Sequence, residues 1–207
     1  MKKTILMFII TLLAFLYGGA VRAGDFYDHL DYGVEWGYTA TLQYQHSFVY
    51  LSESGSRTLY KGNLLTYKSN GEVLVFAGVK FAKVLTLNAC AGWAGVYEGR
   101  RVCPLTLRLS CFPRGYSSDG VKILLEGGKC FAKSFEDKEI MIAKIGAGYR
   151  FTLSHNIALD FSLNAQMVSD HPLGIYDAEH KTIVDDASLL ESNAHYSGLS
   201  FVMSLSF

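Results

Sequence analysis

His195 and Ser197 stand two residues apart near the C-terminal end of the chain. A serine hydroxyl becomes a nucleophile when a histidine accepts its proton, and that histidine needs a carboxylate to hold its tautomer and orientation. Ten residues follow Ser197, and none is acidic. Without an acid from a neighbouring strand, the pair reads as two polar residues at a strand end. A second group with chemical potential is Glu35, Arg108, Lys122, Glu126, Lys144, Arg150 and Asp160. Each lies opposite the apolar residues of an alternating segment, so all should point to one interior. Charges placed there must pair, since an unpaired buried charge costs several kcal/mol even after relaxation.

The cysteines are Cys90, Cys103, Cys111 and Cys130. Cys103 and Cys111 share one face of one strand but stand roughly 26 Å apart at ~3.3 Å per residue, far beyond bridging distance. Cys103 and Cys130 fall at similar levels on neighbouring strands, but on opposite faces. Only a bulge at Pro104 would bring them together, so free thiols are the preferred reading. There is no metal-ligand spacing, phosphate loop or dinucleotide motif, and no cofactor is expected. Formal charge balances at zero, which gives no electrostatic case for a nucleic-acid partner.

The elements that must position these residues are period-two strands. In His195–Phe207, Leu199, Phe201, Met203, Leu205 and Phe207 fall on one face, with Gly198, Ser200, Ser204 and Ser206 on the other. Only Val202 breaks that alternation. Tyr32–Tyr50 alternates over its whole length, with Tyr, Val, Trp, Leu and Phe at even positions and mainly polar residues at odd ones. It is expected to be one long strand with its even positions outward throughout. The others are Gly71–Phe81, Leu85–Val96, Cys103–Cys111, Val121–Phe131, Ile140–Leu153 and Ile157–Ser169. Each of the eight reaches the ~9–11 residues that a tilted strand needs to cross a bilayer.

The connections alternate in length. Leu51–Asn70, Tyr97–Val102, Ala132–Glu139 and Asp170–Ala194 are long or charged, and Ala82–Val84, Phe112–Gly120 and Ser154–Asn156 are short or turn-like. Outer-membrane barrels put short turns on the periplasmic side and longer loops outside. Residues 1–23 read as a cleaved targeting segment: Lys2 and Lys3, the apolar run Ile5–Tyr17, then Val21-Arg22-Ala23. Residues 24–207 form the single remaining domain.

These features together resemble the small eight-stranded outer-membrane barrels of Gram-negative bacteria, of the OmpX and OmpA-barrel kind. Ala147-Gly148-Tyr149-Arg150, Asp170-His171-Pro172 and Asn193-Ala194-His195-Tyr196 are similar to a porin-like branch of them. The resemblance implies an all-β, eight-stranded antiparallel up-and-down transmembrane barrel with both termini in the periplasm. Its partners would be outer-membrane lipid and lipopolysaccharide, with Phe207 read by the assembly machinery. The role it implies is structural or interactive at the cell surface, through Leu51–Asn70 and Asp170–Ala194.

Two rival readings remain. His195 and Ser197 resemble part of the catalytic pair of lipid A deacylase barrels, which would make the protein an acyl-ester hydrolase. In that family, however, the acidic residue follows the serine, and the asparagine after the serine is Gly198 here. The other rival is a secreted soluble barrel holding an apolar ligand.

Overall fold

The computed structural model describes residues 29–52, 54–97, 99–132, 134, 138–154, 157–173, 175–177 and 182–207, with 175–177, 182 and 183 as backbone alone. Residues 1–23, expected to be a targeting segment, lie outside them. Among the described residues ten strands follow in order: β1 (Leu30–Leu51), β2 (Arg57–Ala82), β3 (Leu85–Tyr97), β4 (Arg100–Cys111) and β5 (Gly120–Phe131). Then come β6 (Ile140–Ser154), β7 (Ile157–Asp170), β8 (Ile175–Asp177), β9 (Thr182–Val184) and β10 (Leu189–Ser206). Eight of them close into a ring in the order β1-β10-β7-β6-β5-β4-β3-β2, while β8 and β9 pair with each other as a small separate hairpin. Closure leaves no sheet edge along the common length of the wall. The expected eight-stranded up-and-down barrel is therefore the fold.

The two faces divide as the alternation requires. On β7, Leu163 and Met167 are exposed while Asp160, Ser162, Asn164 and Gln166 are buried. On β10, Leu199, Phe201 and Phe207 are exposed and Ser200, Ser204 and Ser206 buried. Val202 does not disturb this arrangement, because it turns inward and is buried. The room it needs comes from Gly37 on β1, where a Cβ would approach Val202 Cγ2 to 2.9 Å. The wall closes between first and last strands, where the Phe207 amide donates to the Tyr32 carbonyl at 2.8 Å and the two rings stack.

Tyr32–Tyr50 does not keep one outward face. The β1–β10 register slips between Thr41 and Gln43, and this bulge reverses the parity of the strand. Before it, Tyr32, Val34, Trp36 and Tyr38 face out; after it, Phe48 and Tyr50 are buried inside. The expected loop Leu51–Asn70 is also mostly strand. β1 runs to Leu51 and β2 starts at Arg57, leaving only the turn around Ser52–Ser56. Asp170–Ala194 is shortened likewise, since β8 and β9 lie inside it and β10 begins at Leu189. β4 begins at Arg100, two residues before the end of the link expected at Tyr97–Val102.

These extensions make the wall uneven. β3 follows β2 only as far as the pair Glu72–Ala94, and β7 follows β10 only to Asp170–Ala194. Beyond those levels β2, β1 and β10 rise as a three-stranded fin. Its inner face holds the aromatic residues that the bulge turned inward. Tyr44 stacks on His46, Tyr97 and Tyr196 at centroid distances of 4.6, 4.9 and 5.0 Å. Tyr60 stacks on His46 and Phe48 at 5.1 and 5.0 Å. The flat ring of His46 fits because residue 62 is glycine: a Cβ there would lie 2.6 Å from His46 Cε1. Thr41 Oγ1 donates to the Val96 carbonyl beside the bulge and ties it to β3.

Candidate functional site

The lumen is the most elaborately built part of the molecule. Glu35, Arg108, Lys122, Glu126, Lys144, Arg150 and Asp160 all turn inward and are buried, as their places in the alternation require. Arg108 joins two carboxylates. Its Nη1 and Nη2 donate to Glu35 at 2.5 and 2.7 Å, and its Nε donates to Glu126 at 2.7 Å. Thr106 Oγ1 donates to the other oxygen of Glu126 at 2.8 Å. Asp160 accepts from Lys122 Nζ at 2.8 Å and from Arg150 Nε and Nη2 at 2.7 and 2.8 Å. Such paired, charge-assisted bonds supply the compensation that buried ions need.

One member of this network escaped the sequence reading. Glu72 of β2 accepts from Lys144 Nζ at 2.6 Å, with both side chains about 1% exposed. Its signal was available: Glu72 lies opposite Val73 and Val75 in parity. Nearer the other mouth, Arg100 forms a two-bond pair with Asp170 at 2.7 and 2.8 Å. Asp31 near the chain-closing end accepts from Asn88 at 2.7 Å and Tyr116 at 2.5 Å.

The short-turn mouth is stoppered by the link between β4 and β5. Phe112 and Tyr116 meet edge to face at 5.3 Å, and the Arg150 guanidinium sits in the corner they form, 4.1 Å from each ring centroid, making a cation–π contact with both. Burial, reinforced by the neighbouring charge of Asp31, raises the Tyr116 phenol above its ordinary range. Towards the opposite mouth an apolar layer takes over: Val96, Val102, Ile140, Ile142 and Val168 pack with Tyr196. Above it, Phe48, Tyr50, Val184 and Leu189 form a second cluster under the fin. A water-filled channel would leave its lining side chains accessible. Here the lining is buried at every level, from Asp31 through Glu126 to Val168 and Phe48.

His195 and Ser197 turn outward on β10. The residues opposite them on β1 are Gln45 and Gln43, and on β7 Ser169 and Met167. No carboxylate stands beside either residue on a flanking strand. Glu191, on the same face of β10, accepts from Asn193 Nδ2 at 2.8 Å. The arrangement therefore brings together a histidine and a serine without the acid that orients a catalytic histidine.

All four cysteines are free thiols, Cys90 and Cys130 buried and Cys103 exposed. Pro104 lies opposite Cys130 and Cys103 opposite Phe131 in an unbroken register, so no bulge reconciles the two faces. Among the described residues no cluster of His, Cys, Asp and Glu could hold a metal ion.

The outward surface carries an apolar belt bounded by aromatic residues. Tyr149, Phe151 and Phe161 make successive ring contacts of 4.8 and 6.0 Å towards the closing end, and Phe161 reaches the mid-strand Phe201 at 6.3 Å. Towards the other rim the hydroxyls of Tyr38 and Tyr67 meet at 2.9 Å, and Trp93 and Phe131 are exposed. Between these bands stand Val75, Leu107, Leu125, Ile145 and Leu163, all more than half exposed. So broad an exposed apolar surface needs an apolar environment.

In architecture the chain is similar to the outer membrane protein OprG from Pseudomonas aeruginosa, at 13% identity and a TM-score of 0.48, over 85% of this chain and 94% of that one. It is also similar to the outer membrane protease OmpT from Escherichia coli, at 9% identity and a TM-score of 0.41, over 87% and 96% of the two chains. A Pseudomonas aeruginosa FadL homologue is similar at 14% identity and a TM-score of 0.35, over 87% of this chain and 49% of that one. No family model matches, and no curated protein does. These are likenesses of barrel fold and bring no activity with them.

Proposed function

We propose that this protein is an integral outer-membrane β-barrel with a structural and surface-interaction role rather than a pore. The observation that carries this reading is the combination of an apolar outer belt with a lumen buried from mouth to mouth. The belt fits lipid, and an eight-stranded barrel is narrow enough for its own side chains to fill. The short-turn end, with Phe207, faces the periplasm, where Phe207 is the contact for the assembly machinery. The fin of β2, β1 and β10 faces the exterior and supplies the interacting surface.

Membrane fractionation combined with electrophoresis of unheated and boiled samples tests this directly. The folded protein is expected to stay with the outer membrane and to change mobility on heating. Purified into planar bilayers, it should give no ion conductance above the bare membrane. Release into the soluble fraction would favour a secreted barrel, and steady conductance would overturn the closed lumen.

The absence of a carboxylate beside His195 also makes a prediction. Ser197→Ala is expected to leave the acylation pattern of lipid A, read by mass spectrometry, unchanged. A deacylated species that vanishes with the hydroxyl while the barrel still folds would make Ser197 a nucleophile.

A further inference from the structure

Just outside the belt, the outer faces of β10, β1 and β2 form a groove of about 360 Å³. Its walls are Gln45 and Ser47 of β1, Lys61 and Asn63 of β2, and Asn193 and His195 of β10. The bulge at Thr41/Gln43 described above turns the polar set that lines it outward on β1, and Gly62, backed on its inner side by the His46 ring, adds no side chain to the wall. One edge is fixed by Gln43 Nε2 donating to Asn63 Oδ1 at 3.1 Å, the other by Asn193 and Glu191.

Position limits what the groove can meet. Following β10 inward from His195, the same outward face carries Ser197 and then Leu199 and Phe201 of the belt. On β2, Asn63 is followed on that face by Leu65, 81% exposed, and by Tyr67 with its hydroxyl against Tyr38. On the far side of the ring Lys129, paired with Glu139, interrupts the apolar face of β5 between Leu125 and the terminal Phe131. The groove thus lies where charged side chains replace apolar ones on the wall. This is where a lipid passes from acyl chain to headgroup.

Chemistry narrows the occupant further. Lys61 has no ion pair among the described residues, and the carboxylate at the opposite edge, Glu191, accepts from Asn193. Gln45, Asn63 and Asn193 each carry both a donor and an acceptor, which suits the hydroxyls of a sugar, and Ser47 adds another such group. A lone cation among amides suits a phosphate set within a polyol, and the exposed Leu42, Leu65 and Leu199 offer a bed for acyl chains below it.

We propose that this groove holds the phosphorylated sugar headgroup of an outer-leaflet glycolipid, with its acyl chains lying against Leu42, Leu65 and Leu199. The proposal rests on the outer-membrane reading above. A free sugar phosphate shares the head chemistry but has no chains to place on the leucines, so the two sources separate experimentally.

The test uses the full-length folded barrel in detergent micelles, with native mass spectrometry reporting bound molecules. The probes are a bisphosphorylated, acylated glucosamine disaccharide, its dephosphorylated form, and free glucosamine phosphate. One phosphorylated glycolipid should be retained per barrel. Lys61→Ala should weaken its binding about tenfold or more, as expected for losing one charged hydrogen bond, and Lys61→Arg should restore it. Lys129→Ala, on the far side of the ring, should change nothing. Each variant is checked for the mobility shift on heating, so loss of binding is read only on folded barrel. Equal retention of the dephosphorylated glycolipid, or undiminished binding by Lys61→Ala, would overturn the proposal while leaving the membrane barrel standing. Displacement by equimolar free glucosamine phosphate would overturn the lipid assignment. A protein that shows no heat-dependent mobility and no membrane association would defeat the underlying reading instead.

Discussion

Replacing Arg108 with leucine should deplete the folded barrel more than any other single change to its interior. The guanidinium bridges Glu35 and Glu126, each almost wholly removed from solvent. Without it, two carboxylates face each other in a dry lumen, and Lys144 is already committed to Glu72. Removing one partner of a buried ion pair typically costs about 3–5 kcal/mol, most of it the penalty on the charge left behind. The measurement is the folded fraction, read from the unheated electrophoretic band across a urea series. The triple variant Glu35→Gln, Arg108→Met, Glu126→Gln removes the charges together and should recover most of that loss. A stable Arg108→Leu single variant would mean that water reaches the carboxylates and that the lumen is open.

The second large effect is expected on the opposite face of the wall. Leu163 points out of β7 and is 56% exposed, whereas its neighbour Asn164 is buried and donates to Ser200 Oγ at 3.3 Å. Arginine at a lipid-facing position near the bilayer midplane costs about 2–4 kcal/mol. Leu163→Arg should therefore shift the unfolding midpoint in lipid vesicles strongly, while Asn164→Ser loses at most a weak hydrogen bond. Comparing the two midpoints in vesicles and in a soluble detergent separates lipid exposure from general damage. If Leu163→Arg is as stable in vesicles as Asn164→Ser, the face in contact with lipid has been misassigned.

The membrane-facing part of this fold was legible in the sequence because lipid outside and polar side chains inside impose a strict period of two. Ile157–Ser169 shows it without interruption, and every inward charge read from parity is indeed buried. Legibility fails where that constraint ends. Arg57–Asn70 of β2 lies in the fin, with Arg57, Lys61 and Asn63 on one face and Thr58, Thr66 and Asn70 on the other. Polar residues on both faces of a strand read as a loop.

The bulge in β1 was hidden for a different reason. Aromatic residues occupy its even positions on both sides of Thr41, outward for lipid below and inward for stacking above, so hydrophobicity carries no mark of the reversal. Nor could the pairing of charges be read. Arg108 meets Glu126 on the adjacent strand but Glu35 across the lumen, and only the closed register decides which levels face each other. His195 and Ser197 were placed on the correct face by their parity with Phe207. The groove beside His195 was invisible because it depends on Lys61 and Asn63, more than a hundred positions away in the chain.

The stoppered lumen also bears on how many copies a cell can carry. Every open pore added to an outer envelope adds leakage, so the abundance of a conducting protein is bounded by permeability to solutes and toxins. On the outer-membrane reading proposed above, a barrel closed at one mouth by Arg150 against Phe112 and Tyr116 and filled above by valine, isoleucine and tyrosine adds none. Its copy number is free to follow the demand for exposed surface alone, up to the crowding limit of the membrane.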